Sequence, residues 1–279
     1  MTSALNHLFS TRQINQLIRT SKMPSVDKAC AELGICGDTY KAKLNALYQY
    51  LGQHHRNEYW YKNELLNRFV LRRKQVSAIR EYPVGEAIAD FIVCSSDDAL
   101  VLEIKTELDT LKRLSKQIDN YYQAFDRVAL VTVPDKVAAV VKEDIIPKTV
   151  GIYEMQDDGQ LINLRKAAPY RDKLDSHVMF RLLRKKEYEA ITKKVTGSRL
   201  QVNDFDYWKA NERIFCELPV SERQITINQI LYRRNQERKD LIEDTPNCLH
   251  ALLYFAKYNG TQIEQIQRLL EQKEGDMNA

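Results

Sequence analysis

A chain of 279 residues, 44% of them hydrophobic, has material for one large or about two or three smaller cored domains. It lacks an apolar run long enough to cross a bilayer and an N-terminal basic-then-apolar signal segment, so a cytoplasmic protein outside the membrane is expected. A net charge of +4 is too small to identify a polyanionic partner by itself, so local clusters of basic residues carry that question.

The five cysteines, Cys30, Cys36, Cys94, Cys216 and Cys248, are odd in number and show no C-x2-C spacing. That pattern argues against a disulfide framework or a structural zinc site and for reduced, mostly buried thiols.

Residues 1 to 56 read as a helical segment. Ser10 opens a run with Ile14, Leu17 and Ile18 as its apolar positions, and Pro24-Ser25 restarts the chain as an N-cap. The stretch 29 to 44 resembles a helix-turn-helix unit: Gly34 permits the turn, Ile35 plugs between helices, and Asp38-Thr39 start a second helix bearing Tyr40, Lys41 and Lys43. Lys41 and Lys43 are candidate nucleic-acid contacts, against the alternative of a purely structural helical hairpin. The second helix is expected to end at Leu51-Gly52, with the glycine as C-cap, and His54-His55 read as surface residues.

The central segment, residues 57 to 165, opens with a helix over 57 to 71 and the basic run Arg72-Arg73-Lys74. A helical wheel puts Glu58 in line with Tyr61, Leu65 and Phe69 on the packed side, and Glu64 with Asn67 and Arg68 as a surface charge. Residues 78 to 84 read as a strand containing Glu81, an ordinary surface glutamate in this reading, and Gly85 allows a close turn. Residues 86 to 94 and 99 to 105 read as two further strands around the turn Ser95-Ser96-Asp97-Asp98.

Side chains alternate faces along a strand, so Glu103 and Lys105 share a face. If Cys94 faces Ala99 across the hairpin, the register sets Asp90 opposite Glu103, and two carboxylates and an amine converge on one face of an apolar sheet. That grouping suits a hard divalent cation held by oxygens, with an ammonium to orient a water or stabilise a phosphate charge. The plain alternative is a solvated strand end. An Asp inside one strand and an E-x-K in the next, both flanked by apolar residues, favour function. A helix carrying Leu111, Leu114, Ile118, Tyr122 and Phe125 follows, with Gln117 and Tyr121 together on its flank, and residues 128 to 133 form another strand.

These residues resemble the PD-(D/E)xK phosphodiesterase superfamily, the restriction-endonuclease-like nucleases, and Gln117 with Tyr121 is similar to the Q-x3-Y motif of its RecB-type branch. The resemblance implies an α/β fold with a restriction-endonuclease-like αβββαβ core and a mixed sheet, supplied here between about residues 57 and 133. It implies Mg²⁺ or Mn²⁺ held by Asp90 and Glu103, with the Ile104 carbonyl completing the shell and Glu58 contributing from the first helix. Lys105 is then the catalytic amine, while Gln117 and Tyr121 hold the substrate backbone or the lysine.

Beyond the core, a helix from Pro134, a strand over 150 to 153, the turn Asp157-Asp158-Gly159 and a strand over 161 to 164 extend the sheet. Ala167-Ala168-Pro169 leads into a helical segment, residues 166 to 279. There Arg184, Lys185 and Lys186, and then Lys193 and Lys194, interleave with apolar positions, as a phosphate-backbone surface or a solvated helix face. Tyr207, Trp208, Phe215, Leu231, Leu249, Leu252, Leu253 and Phe255 supply its core, Arg233-Arg234 and Arg238-Lys239 a second basic strip, and residues 274 to 279 are expected to fray.

The expected function is metal-dependent hydrolysis of phosphodiester bonds, with DNA favoured over RNA, in defence or mobile-element biology, by a protein compatible with a homodimer. The alternative is a DNA-binding regulatory or assembly protein that keeps a nuclease-like core without cutting; it has no physical need for an amine beside two carboxylates.

Overall fold

The computed structural model describes Leu5 and residues 7 to 273; the tail expected to fray lies outside them. The chain divides into two compact units, one of Met1–Lys74, Asp157–Gly159 and Glu237–Ala279, the other of Gln75–Gln156 and Gln160–Gln236. This division cuts across the expected segments 1–56, 57–165 and 166–279. The helix expected to open the core falls in the first unit, and the C-terminal segment is shared between both.

In the first unit, α1 (Thr11–Thr20) turns Gln13, Ile14 and Leu17 inward. Helix α2 (Pro24–Leu33) has proline at its first position and ends at Gly34, whose φ of 65° is a left-handed cap that suits glycine. Helix α3 (Tyr40–His54) starts at Thr39, whose side chain accepts from the Ala42 N–H.

In this helical pair the residues expected at a DNA groove have partners within the first unit. Tyr40 is buried, donating its hydroxyl to Asp27 and accepting from the Met23 N–H. Lys43 is ion-paired to Asp27 at 2.8 Å, and Lys41 to Glu271 at 2.9 Å. Gly52 does not cap α3, which runs on to His54; a Cβ there would meet the Trp60 indole nitrogen at 2.7 Å, so the glycine serves close packing.

Asn57 caps α4 (Glu58–Leu66), which continues as a π-helical turn (Asn67–Leu71). The wheel assignment of its glutamates is reversed. The Glu58 side chain is 60% exposed and paired to Lys62 at 2.6 Å, whereas Glu64 is partly buried between the Tyr48 hydroxyl and Arg68. As the first helical residue, Glu58 gains from the helix N-terminal dipole at the surface, and the wheel does not see that end effect.

The second unit is a six-stranded mixed sheet in the order β1-β2-β3-β4-β5-β6, with helices, and the chain has the expected α/β fold. Strands β1 (Ser77–Val84), β2 (Ala87–Cys94) and β3 (Ala99–Lys105) pair antiparallel. Helix α5 (Leu114–Tyr121) then carries the chain over the sheet, so that β4 (Val128–Thr132) pairs parallel to β3. Helix α6 (Pro134–Lys142) makes a second crossover to β5 (Gly151–Met155), which is also parallel to β4, and β6 (Leu161–Arg165) closes the edge antiparallel. Every residue of β4 is buried, as a continuous Val/Ala/Leu run in an inner strand should be.

One sheet face, with Ile92, Val101, Leu130 and Ile152, packs against Leu114, Ile118 and Tyr121 of α5 in one core. Helices α7 (Ser176–Arg181), α8 (Lys185–Thr196), α9 (Asp204–Glu217) and α10 (Val220–Arg233) extend that core through Phe180, Tyr188, Phe215 and Leu231. Trp208, expected in this core, is 40% exposed. Arg234, expected in a surface strip, is instead paired to Glu187 at 2.5 Å and donates to Tyr82 and to the Leu182 carbonyl.

The first unit is completed by α11 (Arg238–Ile242), α12 (His250–Phe255) and α13 (Gly260–Glu271). Leu249, Leu252 and Leu253 are buried here, in a different body from Tyr207, Phe215 and Leu231. The other half of the expected basic strip is used internally: Arg238 donates to the carbonyls of Leu253, Tyr254 and Tyr258, and Lys239 to those of Val70 and Arg73. A helix C-terminus leaves carbonyls unsatisfied, and these cations close them.

All five cysteines are free, and burial raises the thiol pKa of both Cys94 and Cys248 to about 12. No described helix is long and apolar enough to cross a membrane.

Candidate active site

The E-x-K spacing of β3 presents a carboxylate and an ammonium side by side on one sheet face, because residues two apart on a strand point the same way. Cys94 does face Ala99, and the ladder runs to the pair Phe91↔Leu102. One step further the register brings Asp90 opposite Glu103. There the Asp90 Oδ2 accepts the Ile104 backbone N–H at 2.8 Å, so a side chain closes the hairpin where the backbone ladder stops.

Glu103 is held at both oxygens. Lys105 Nζ lies 2.5 Å from Oε1, and the Tyr121 hydroxyl donates to Oε2, also at 2.5 Å. Glu103 is 1% exposed, Lys105 7% and Tyr121 0%. The Tyr121 oxygen also lies 2.8 Å from the Ile88 carbonyl; Pro83, the register partner of Ile88, has no N–H to offer it. Burial, and then the charge and hydrogen bond of Glu103, push the Tyr121 hydroxyl pKa far up, so it remains a neutral donor at any physiological pH.

Gln117 lies one helical turn before Tyr121, on the same side of the helix, and its Oε1 is buried and without a partner. Gln117 and Asp90 both line a cavity of about 420 Å³, whose wall also includes Ile88, Arg113, Lys116 and Asn120. The five core-motif residues Asp90, Glu103, Lys105, Gln117 and Tyr121 are thus gathered by β2, β3 and α5. Glu58 is not among them, being paired to Lys62 in the first unit. Glu81 sits in the register position facing Asp90 from β1, with a left-handed φ of 51°, and is exposed.

Several residues that position this set were not singled out by pattern. Asn120 accepts the Glu86 N–H at 2.7 Å and donates to the Lys116 carbonyl, which ties α5 to the turn at Gly85. Thr132 donates to the Lys105 carbonyl at 2.7 Å from β4, and Asp109 Oδ2 accepts from both the N–H and the hydroxyl of Thr106. An Asn in the last turn of an amphipathic helix and a T-x-x-D after a strand are weak signals, which the neighbouring apolar pattern masks.

The energetics of a buried Glu–Lys pair give little reason to keep it for stability. Desolvation of the two charges offsets their attraction, and well-packed apolar residues commonly do as well or better. The side-chain oxygens at this place, the Asp90 and Glu103 carboxylates and the orphaned Gln117 Oε1, have the chemistry that suits a hard divalent cation. One partner at each Glu103 oxygen leaves that oxygen a second lone pair. Among the described residues no group of three or more His, Cys, Asp or Glu side chains is set to hold a metal ion.

The basic residues expected to contact nucleic acid are divided between the two units. Lys41 and Lys43 are ion-paired within the first unit. On α8, Arg184 is the cap residue, its N–H bonded to Glu187; Lys185 lies over the Tyr207 ring, and Lys186 is exposed in a cleft. Around the cavity, Arg113 and Lys116 are the cations present, the latter paired to Glu86 at 2.8 Å with both side chains largely exposed.

No curated protein and no solved structure matches the chain. A family model, that of Bacteriophage P4 protein cII, matches residues 52–248, a span that includes the whole sheet, α5 and every residue of the gathered set. Matched over the larger part of its length, the chain belongs to the Bacteriophage P4 protein cII family.

Proposed function

We propose that this protein is a metal-dependent nuclease of the PD-(D/E)xK kind, hydrolysing phosphodiester bonds in nucleic acid, DNA in preference to RNA. The observation that carries the reading is the linked set Glu103, Lys105 and Tyr121 beneath a cavity lined by Asp90 and Gln117. Membership of a phage family is compatible with a mobile-element setting.

Asp90 and Glu103 would hold Mg²⁺ or Mn²⁺, with the Ile104 carbonyl and Gln117 Oε1 as further oxygens. When bound, such an ion polarises a phosphoryl oxygen and lowers the pKa of its water. Tyr121 fixes the Glu103 carboxylate in one orientation, and the Ile88 carbonyl holds the Tyr121 hydroxyl in place. Lys105, freed from Glu103, orients a water or neutralises charge as it develops on the phosphate. Arg113 and Lys116 meet the substrate backbone at the cavity wall.

The test is purified protein on linear, circular and single-stranded DNA with Mg²⁺ or Mn²⁺. Cleavage by the wild type that is lost in Lys105→Ala is the expected result; equal cleavage by the variant rules out the lysine's role. A second reading, a DNA-binding protein that keeps this core without cutting, is favoured by one observation: both Glu103 oxygens are already engaged by the protein itself. Salt-dependent DNA binding, without cleavage under any divalent metal, selects it.

A further inference from the structure

Away from the cavity just described, α8 and α10 leave an open channel between them in the second unit, about 540 Å³ in volume. From α8 it is lined by Lys186, Ala190, Ile191, Lys194 and Val195, which fall on one stripe of the helix. From α10 come Glu222, Thr226, Ile230 and Arg233, again one stripe, and Leu218 precedes that helix. Two such stripes facing one open channel have the form of a slot for a third helix.

The charges say what kind of helix. Lys186, Lys194 and Arg233 are exposed and have no acidic partner among the described residues, and Glu222 is the single channel acid in the same position. The other lining acid, Glu187, is already neutralised by Arg234 at 2.5 Å. The rim therefore carries an uncompensated positive excess over an apolar floor that includes Val195, 48% exposed. A nucleic-acid backbone matches the rim but brings no apolar surface to cover the exposed Val195 and the half-buried Ile230. A second copy of this chain would have to bring a complementary acidic face.

We propose that the α8–α10 channel docks an acidic amphipathic helix from a protein partner, its apolar side on Val195 and Ile230 and its carboxylates on Lys186, Lys194 and Arg233. The proposal uses none of the residues gathered at the candidate active site, and it assigns Lys186 and Lys194 to a protein partner in place of a phosphate backbone.

The probe is a fluorescein-labelled synthetic helix-forming peptide with Leu along one stripe and Glu on both flanks. Its controls are the same peptide with Lys in place of Glu, and one broken by a central proline. Fluorescence anisotropy with the full chain is expected to give micromolar binding of the acidic peptide alone. Lys194→Glu/Arg233→Glu should weaken it at least about tenfold, as should Val195→Asp, an exposed position where the fold tolerates the change. Unchanged affinity in these variants, or equal binding of the lysine peptide, overturns the proposal. Two other outcomes also overturn it: protection of this face by double-stranded DNA in place of the peptide, and a dimer in solution that Val195→Asp dissociates.

Discussion

Replacing Lys105 with methionine probes the buried pair at the centre of the candidate site. The variant keeps the aliphatic stem and removes the ammonium, leaving Glu103, 1% exposed, with the Tyr121 hydroxyl as its remaining donor. Stranding one charge of a buried pair costs about 3–5 kcal/mol, against about 0–1 for an exposed pair. For a body of about 150–250 residues each kcal/mol lowers Tm by about 2–4 °C, so a fall of about 6–20 °C is expected in the transition of the second unit. The companion Glu103→Leu/Lys105→Met removes both charges, leaves Tyr121 its bond to the Ile88 carbonyl, and should return to within about 1–2 kcal/mol of the wild type. Differential scanning calorimetry on the wild type, both singles and the double closes the cycle. A single variant that loses less than about 1 kcal/mol, or a double as unstable as the single, refutes the buried-pair argument. The folded double variant also separates loss of chemistry from loss of structure in the DNA assay.

Tyr121→Phe removes one donor from Glu103 and should cost about 1–3 kcal/mol in urea unfolding. Because the folded-state pKa of Tyr121 is raised, its stabilising effect is present below the ordinary tyrosine value and is lost as pH rises beyond it. Alkaline unfolding above about pH 10 should accordingly be shallower in the phenylalanine variant, read by tyrosinate absorbance. In the first unit burial depresses the His250 pKa, so its contribution is present above about pH 6.5 and lost as pH falls below it. His250→Gln should flatten the acid limb of that unit's unfolding, and an unchanged limb removes the histidine from the account. Gly85→Ala places a side chain at a φ of 59° against Asn120, and should lower Tm by several degrees while loosening the Glu86 turn, seen as faster amide exchange there. Isothermal titration of Mn²⁺ should give heat that vanishes in Asp90→Ala/Glu103→Ala; persistence of that heat moves the ion elsewhere.

The sheet was readable because period-two alternation and turn chemistry act over a few residues, and Cys94 does face Ala99 as the hairpin register requires. That register brought Asp90, Glu103 and Lys105 together, one helical turn set Gln117 beside Tyr121, and only the family resemblance joined the two groups. What misled were the charges. Lys43, Arg234, Arg238 and Lys239 look like surface cations in sequence, but each closes an acid or a row of carbonyls brought from afar in the chain. Local periodicity carries no trace of such distant partners. Glu58 was assigned to the packed side for a related reason: a wheel treats every position as mid-helix, and Glu58 is the first residue of α4.

The division into compact units has a consequence for biosynthesis. The first body draws on both ends of the chain and on a hairpin tip at Asp157–Gly159, so the second body is an insertion within it. As the polypeptide leaves the ribosome, the sheet and α7 to α10 are complete while the early helices still await their last partners. A stop codon shortly after Gln236 therefore spares the catalytic candidate and ruins the body that was begun first.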